Sequence, residues 1–302
     1  MQSAHHVFML RPAAFAHNGE TAASNHFQNE ISQEGIGTLA LKEFDKAVAT
    51  LRENGVQVVV FEDSPIPAKP DAIFPNNWIG LLHDGTMVLY PMLAKNRRLE
   101  RRKDIINQLK QDFAINKVLD LSDYESKNMF LEGTGSIVFN HSKRKAYACI
   151  SPRTNKQLLE IFLEKLNYQL CCFTAKDKQQ NDIYHTNVMM NIGLGYAVVC
   201  LDSVVNEEEK KTLIQNLKED DLEIVEISLD QMNDFAGNML EVQGKERLLT
   251  LSTLAFKSLN SRQIKALENH VKLLPITVST IEKVGGGGIR FVICEIFCPP
   301  RP

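Results

Sequence analysis

Short runs of β-branched and apolar residues alternate with segments of helical periodicity, and this alternation restricts the fold more than any other feature of the chain. Strands are predicted over residues 6–10, 56–61, 86–90, 135–139, 145–150, 187–192, 196–201, 222–227, 239–242, 247–251 and 290–297. Helices are predicted over residues 38–54, 97–113, 155–166, 206–217 and 261–272. The class is mixed α/β. No linker rich in Pro, Gly or Ser and no sharp change of composition interrupts the pattern, so residues 1–302 read as a single domain. With 302 residues and 44% hydrophobic content, such a domain can bury a large core.

Charge removes several classes of function. Lys plus Arg (34) nearly balances Asp plus Glu (37), leaving a net charge of −3, so no global field selects nucleic acid or an anionic membrane. The one basic cluster, Arg97, Arg98, Arg101, Arg102 and Lys103, lacks the interleaved aromatics and wide basic surface of a nucleic-acid site, and reads as a solvated, capped helix face. No apolar run approaches the roughly 18 to 20 residues that span a bilayer. The N-terminus lacks the layout of a signal peptide, and the six cysteines form no zinc-type pairs, which predicts reduced thiols in a cytoplasmic protein. Neither Gly193-Leu194-Gly195 nor the later glycine tract has nucleotide-binding spacing, and no metal-ligand spacing occurs, so neither a cofactor nor a metal is expected.

That later tract, Val284-Gly285-Gly286-Gly287-Gly288-Ile289-Arg290-Phe291, is the most informative local motif. Glycines permit backbone angles and close approaches that a Cβ resists, and a turn of this kind leading into a strand can present one side chain to a ligand. Four other segments carry polar groups in unusual company. Pro70-Asp71-Ala72-Ile73-Phe74-Pro75-Asn76-Asn77-Trp78 holds the only tryptophan; in isolation its Pro-Asn-Asn reads as a turn. Leu131-Glu132-Gly133-Thr134-Gly135 reads in isolation as a turn into a strand. Ser151-Pro152-Arg153-Thr154 follows a predicted strand, and Tyr184-His185-Thr186-Asn187 precedes one.

In order and spacing these segments, together with Asn96-Arg97-Arg98-Leu99-Glu100, Leu10-Arg11-Pro12, residues 20–25 and residues 233–241, resemble the guanidino-group-modifying superfamily. That superfamily includes arginine deiminases, dimethylarginine hydrolases, amidinotransferases and a bacterial citrulline-hydrolase-like branch, which is the nearest. The resemblance runs from the N-terminus to Phe297. It implies a pentein fold, a five-bladed propeller of ββαβ units around a substrate channel, and a small amino acid, citrulline or arginine-like, as ligand. It also implies a C–N hydrolase with a covalent mechanism. There a cysteine thiolate attacks the central carbon of the ureido or guanidino group, and a histidine serves as general acid and then base.

Residue by residue, the resemblance makes His185 the acid–base group and Glu132 the carboxylate that orients it, raising its pKa. Arg153 becomes one grip on the substrate α-carboxylate and Arg97 or Arg98 the other, by bidentate pairing. Asp71, Asn76 and Asn77 fall on the substrate-binding segment. Amides at the last two positions suit a neutral ureido group, because a buried guanidinium needs carboxylate partners. Asp71 leaves arginine possible.

The nucleophile position falls on Phe291, which has no nucleophilic atom. Cys294 is the nearest substitute, but alternation along a strand turns positions 291, 293 and 295 one way and 294 the other. Two readings follow: a citrulline or arginine hydrolase with an alternative nucleophile, or a silent homologue that keeps an amino-acid site as a sensor or assembly partner.

Overall fold

A computed structural model of the chain describes residues 1–30 and 35–301. Strand β1 (His6–Arg11) leads through helix α1 (Ile36–Glu53) to β2 (Gln57–Glu62), which lies parallel to β1 with His6 opposite Gln57 and Arg11 opposite Glu62. A hairpin follows, β3 (Ile79–Leu81) antiparallel to β4 (Thr86–Leu89), and α2 (Lys103–Asp112) then crosses to β5 (Lys117–Asp120), parallel to β4. The same order recurs in β6 (Val138–Asn140), β7 (Lys145–Cys149), α3 (Lys156–Leu166) and β8 (Gln169–Phe173). It recurs again in β9 (Met190–Gly193), β10 (Tyr196–Val199), α4 (Glu207–Glu219) and β11 (Glu223–Glu226). A further repeat is β12 (Leu240–Gln243), β13 (Arg247–Ser252), α5 (Ser261–Glu268) and β14 (Lys272–Ile276).

The last strand, β15 (Cys294–Ile296), pairs antiparallel with β1 and so supplies the hairpin partner that the N-terminal unit needs. Counted this way, the chain forms five ββαβ units, one of them built from both ends. β15 also meets β3 in parallel at Ile296 and Leu81, which merges two units into one six-stranded sheet, β2-β1-β15-β3-β4-β5. The other units are separate three-stranded sheets, and no further strand ladder joins them among the described residues.

Local chemistry explains where the helices begin and which face they bury. Asn155 caps α3 by accepting from the Leu158 N–H, and Asn206 caps α4 by accepting from Glu208 and Glu209, while three glutamates in its first turn face the positive end of the dipole. Asn260 and Gln263 form a reciprocal capping box on α5. On α3, Leu158, Leu159, Phe162, Leu163 and Leu166 recur at helical spacing and are buried against the sheet, each contributing about 2 kcal/mol. Among the described residues no helix is long and apolar enough to cross a membrane.

Several sequence expectations need correction. The strands β3, β5, β8 and β14 lie outside the predicted set; β5, β8 and β14 are outer strands that bury at most two of their side chains, so their apolar signal is weak. The predicted helix 97–113 is instead a 3-10 turn, Asn96–Glu100, followed by α2, because Arg101 takes ψ 69° and breaks the helical run. The predicted helix 261–272 stops at Glu268, and β14 starts at Lys272. The predicted strands 135–139, 187–192 and 290–297 each begin as one helical turn, Gly133–Ser136, Thr186–Met189 and Ile289–Val292, before the strand proper. A short buried apolar run has the same composition in either state, so periodicity does not separate them.

Candidate active site

Those helical turns build the site. Each precedes the first strand of its unit, as does the 3-10 turn Pro75–Asn77 ahead of β3. The turn Gly133–Ser136 packs on both Pro75–Asn77 and Thr186–Met189, and Ile289–Val292 packs on Pro75–Asn77. Glu132 and His185 are the capping residues at the heads of their turns, which points both into this junction. Gly133 has φ +51°, and a Cβ there would enter the Asn76 carbonyl; a Cβ on Gly135 would lie 2.6 Å from both His185 Nδ1 and Asn77 Nδ2. Only glycine lets the turns close to this distance.

His185 Nε2 donates to Glu132 Oε2 at 2.8 Å, and the other carboxylate oxygen accepts from the Leu93 N–H at 3.0 Å. Arg153 Nη1 lies 3.4 Å from Glu132 Oε2, with its guanidinium 4.8 Å over the Tyr184 ring. Burial alone would raise the Glu132 pKa, but Arg153, His185 and Arg97 outweigh it and hold the group at about 2. Burial pushes His185 down to about 4, against the pull of Glu132 and with help from the Arg153 and Arg97 charges. The expected rise in the histidine pKa is therefore overturned. At neutral pH the imidazole is uncharged beside an ionised carboxylate, and its Nδ1 has no partner among the described residues.

The substrate-segment residues also converge. Arg97 makes a bidentate pair with Glu100 at 2.9 Å through Nε and Nη2, donates from Nη1 to Asn77 Oδ1 at 2.7 Å and lies 3.9 Å from Asp71. Asn77 in turn donates to Asn76 Oδ1 at 3.2 Å, and Asn76 donates to Thr134 Oγ1 at 3.3 Å. Asp71 Oδ2 accepts from Asn18 at 2.8 Å and Thr21 at 2.9 Å, while its Oδ1 has no partner among the described residues. Of the two candidate arginines, Arg97 enters the junction. Arg98 turns away to Met92 O, Glu125 and the Phe130 ring. The neighbouring Arg101 pairs with Glu125 and Arg102 with Asp104, so the basic run is tied into ion pairs rather than left as a solvated face.

A strap over residues 18–28 covers the junction. Arg153 donates to Thr21 O at 2.8 Å and to Ser24 Oγ at 2.9 and 2.8 Å, while Asn25 and Gln28 both donate to Gly285 O. With the strap in place, His185 and Glu132 are 0% exposed and Arg153 and Phe291 3%. The ring of Phe291 lies 5.6 Å from the His185 imidazole at 28° and 5.9 Å edge-on from Phe74. It also fills the space over Gly287, where a Cβ would meet it at 2.7 Å.

Cys294 is not brought to this junction. It packs in a separate core cluster with Phe8, Leu10, Trp78 and Ile79, its thiol directed at Ile79 O at 3.5 Å, and burial pushes its pKa up. Strand alternation from position 291 does not apply, since Phe291 sits in a helical turn; the division between the two cores separates the side chains instead. Among the described residues no group of three or more His, Cys, Asp or Glu side chains is placed to hold a metal.

Sequence reasoning missed Asn18, Thr21, Ser24, Glu100, Tyr184 and Asn187. Tyr184 donates to Gly286 O at 2.6 Å, and its ring packs beside both His185, at 4.7 Å and tilted, and Phe291, at 6.2 Å and near-parallel. The Asn187 amide is buried, with neither of its atoms partnered among the described residues. Its signal was the spacing of two from His185, within the segment already singled out.

The model of the family described as N,N dimethylarginine dimethylhydrolase, eukaryotic, matches residues 11–298. No curated protein matches the chain. Among solved structures, the N-terminal domain of ArgZ, an arginine dihydrolase from the ornithine–ammonia cycle in cyanobacteria, captured as a cysteine-to-serine variant bound to substrate, superposes with a TM-score of 0.75. The identity is 15%, over 97% of this chain and 99% of that one. AgrE in complex with ornithine and NAD+ gives 0.76 at 16% identity, covering 100% of this chain and 40% of that one. DDAH from Pseudomonas aeruginosa, a cysteine-to-serine variant with citrulline, gives 0.66 at 14%, covering 97% and 99%. At these identities the likeness establishes the α/β fold.

Proposed function

The chain belongs to the N,N-dimethylarginine dimethylhydrolase family, and from that premise we propose that it is a catalytically silent member that retains a binding site for a citrulline-like or arginine-like amino acid. The observation that carries this reading is the Phe291 ring stacked on His185, where an attacking thiolate would have to stand. A phenyl group offers no lone pair, and the buried Cys294 thiol faces another core. His185, neutral with its pKa near 4, is also poorly suited to protonate a leaving amine.

The recognition groups remain. In the proposed complex Arg153 and Arg97 take the ligand α-carboxylate, Asp71 takes the α-ammonium, and the Asn76 and Asn77 amides take a side-chain ureido or similar polar end. Arg153 now spends its donors on Thr21 O and Ser24 Oγ, both on the strap, so a carboxylate would exchange with strap atoms as the strap lifts. Phe291 fills the space beside His185, which favours a ligand with a side chain shorter than that of arginine. Glu132 and Asn187 would orient its polar end.

We further place the five units in a closed five-bladed propeller formed by residues 1–302 as one domain. The reading is supported by β15 completing the N-terminal unit, by β6 packing on β9 and β9 on β12, and by the bridge between Ala4 and Val242. Six free cysteines suit a reducing, cytoplasmic setting.

The test is a pair of assays on the unmodified protein. Ornithine release from citrulline and arginine should stay at the no-enzyme level, and one or more of citrulline, ornithine and shorter amino acids should raise the melting temperature. Turnover would overturn the silent reading, and absence of any shift at millimolar concentration would overturn the binding reading.

A further inference from the structure

Beneath the far side of the glycine tract lies a polar group that the first site does not use. Glu282, in the helix Ser279–Gly285, is 1% exposed, and neither carboxylate oxygen has a hydrogen-bond partner among the described residues. It lines a surface cleft of about 490 Å3 together with His26, Phe27, Asn233, Phe235 and Leu254. That volume falls within the range of small-molecule sites. The Phe27 and Phe235 rings stand 6.0 Å apart, and Leu254 is 39% exposed, so the cleft has apolar walls. Phe235 holds φ +62°, a left-handed backbone that costs free energy for an aromatic residue and persists only where packing enforces it.

The electrostatics of this cleft select one sign of charge. Burial raises the Glu282 carboxyl to about 7, countered only in part by the nearby Ser252 hydroxyl, which stands outside hydrogen-bonding geometry, and Glu43 and Asp234 raise it further. Glu282 is the carboxylate in the lining, Glu43 and Asp234 act on it from outside the cleft, and the lining lysine, Lys283, is exposed on a flexible stem that can extend into solvent. A buried carboxylate without a partner is costly, and a cation that reaches it recovers that cost.

We propose that this cleft binds an organic cation, an ammonium or guanidinium group on a short apolar chain, with Glu282 as its counter-ion and Phe27, Phe235 and Leu254 as its walls. Phe27 also packs on Tyr184 at 6.1 Å, so an occupant would touch the strap that covers Arg153. None of the cleft's lining residues grips the proposed α-carboxylate, although His26 and Phe27 belong to the strap that Arg153 holds, so the two sites share that wall.

The probes are n-butylammonium and n-butylguanidinium, titrated calorimetrically at neutral pH, with n-butanol as the uncharged control. At least one cation should bind with Kd of about 1 mM or tighter, and Glu282→Gln should weaken it about tenfold or more. Leu254→Lys, at an exposed position where folding is not at stake, should weaken it similarly by placing a cation on the rim. Asn76→Ala, which alters the amino-acid site at a residue that does not hold the strap, should leave the affinity within about twofold. The proposal fails if neither cation saturates, if n-butanol binds as well, if Glu282→Gln binds like the parent, or if Asn76→Ala alone abolishes binding.

Discussion

The Phe291 ring lies 5.6 Å from the His185 imidazole, near-parallel at 28°, so an apolar side chain and the family's acid–base group are packed as one stack. Truncating the ring opens a cavity in the buried junction. Phe291→Cys should lower stability by about 2–4 kcal/mol, from the transfer and cavity contributions together. In the same variant the new thiol would face His185. Ornithine formation from citrulline by this variant, against none by the parent, is the expected result; a variant as inert as the parent yet folded would mean that more than the nucleophile has been lost.

Arg153 is the group on which amino-acid binding turns. It is buried and bonded to Thr21 O, Ser24 Oγ and Glu132, so Arg153→Ala removes both the ligand grip and the anchor of the strap. The expected outcome is loss of ligand-induced stabilisation, with a fall in unliganded stability of about 3 kcal/mol because Glu132 loses a buried partner. Thermal melts with and without citrulline or ornithine read both effects.

Much of this site was legible because its chemistry is carried by residue types that are rarely buried. Asp71, Glu132, Arg153 and His185 stand out in apolar surroundings, and the structure gathers all four. The choice between Arg97 and Arg98 was not legible, since it depends on a 3-10 turn where a continuous helix was expected. Tyr184 acts through its ring and Thr21 and Ser24 through single hydroxyl and carbonyl contacts, whose partners a sequence pattern does not name. The fold was read as alternating strands and helices, but β5, β8 and β14 were lost because an outer strand exposed to solvent along part of its length buries few side chains. Even the histidine pKa was read with the wrong sign. A neighbouring carboxylate raises it, but complete burial beside two guanidiniums outweighs that effect, and burial is a property of the fold.

His185 should make an acid-sensitive contribution to stability in a defined window. His185 titrates near 6.5 when unfolded and near 4 when folded, so the unfolded state binds the proton first as pH falls. Stability is complete above about pH 6.5 and is lost through about pH 4, by about 3 kcal/mol for this group. His141, held at about 3 by burial and by His83, adds loss over the same range and below. Glu132, held at about 2, adds its own loss only below its ordinary value of 4.5. Glu100 and Glu282, both raised to about 7 by burial, take up protons in the folded state first and oppose this loss as pH falls. Denaturant melts at pH 7 and pH 4.5 should therefore show the parent losing about 3 kcal/mol more than His185→Gln; an equal change in the two proteins would remove His185 as a source.

Thiol reactivity should follow burial rather than sequence position. Burial raises Cys149, Cys171, Cys200, Cys294 and Cys298, and each is buried, whereas Cys172 is half-buried. A maleimide reagent at neutral pH should label Cys172 first, with the others reacting only on unfolding. Rapid labelling of Cys294 in the native protein, read by peptide mass, would reopen its candidacy as a nucleophile.

Gly135 tests whether the junction depends on close approach of its turns. A Cβ there would stand 2.6 Å from His185 Nδ1 and from Asn77 Nδ2, and neither side chain can retreat, since His185 is held by Glu132 and Asn77 by Arg97. Gly135→Ala should therefore cost about 2 kcal/mol or more through overpacking, although alanine is the better helix former. The contrast with Gly19 makes the experiment decisive: it also lies in a helical turn, but a Cβ there meets nothing within 4 Å. Gly19→Ala should be neutral or stabilising by up to about 1 kcal/mol. Equal effects of the two substitutions in denaturant melts would mean that the turn at Gly133–Ser136 is free to shift, and that His185 is not fixed as described.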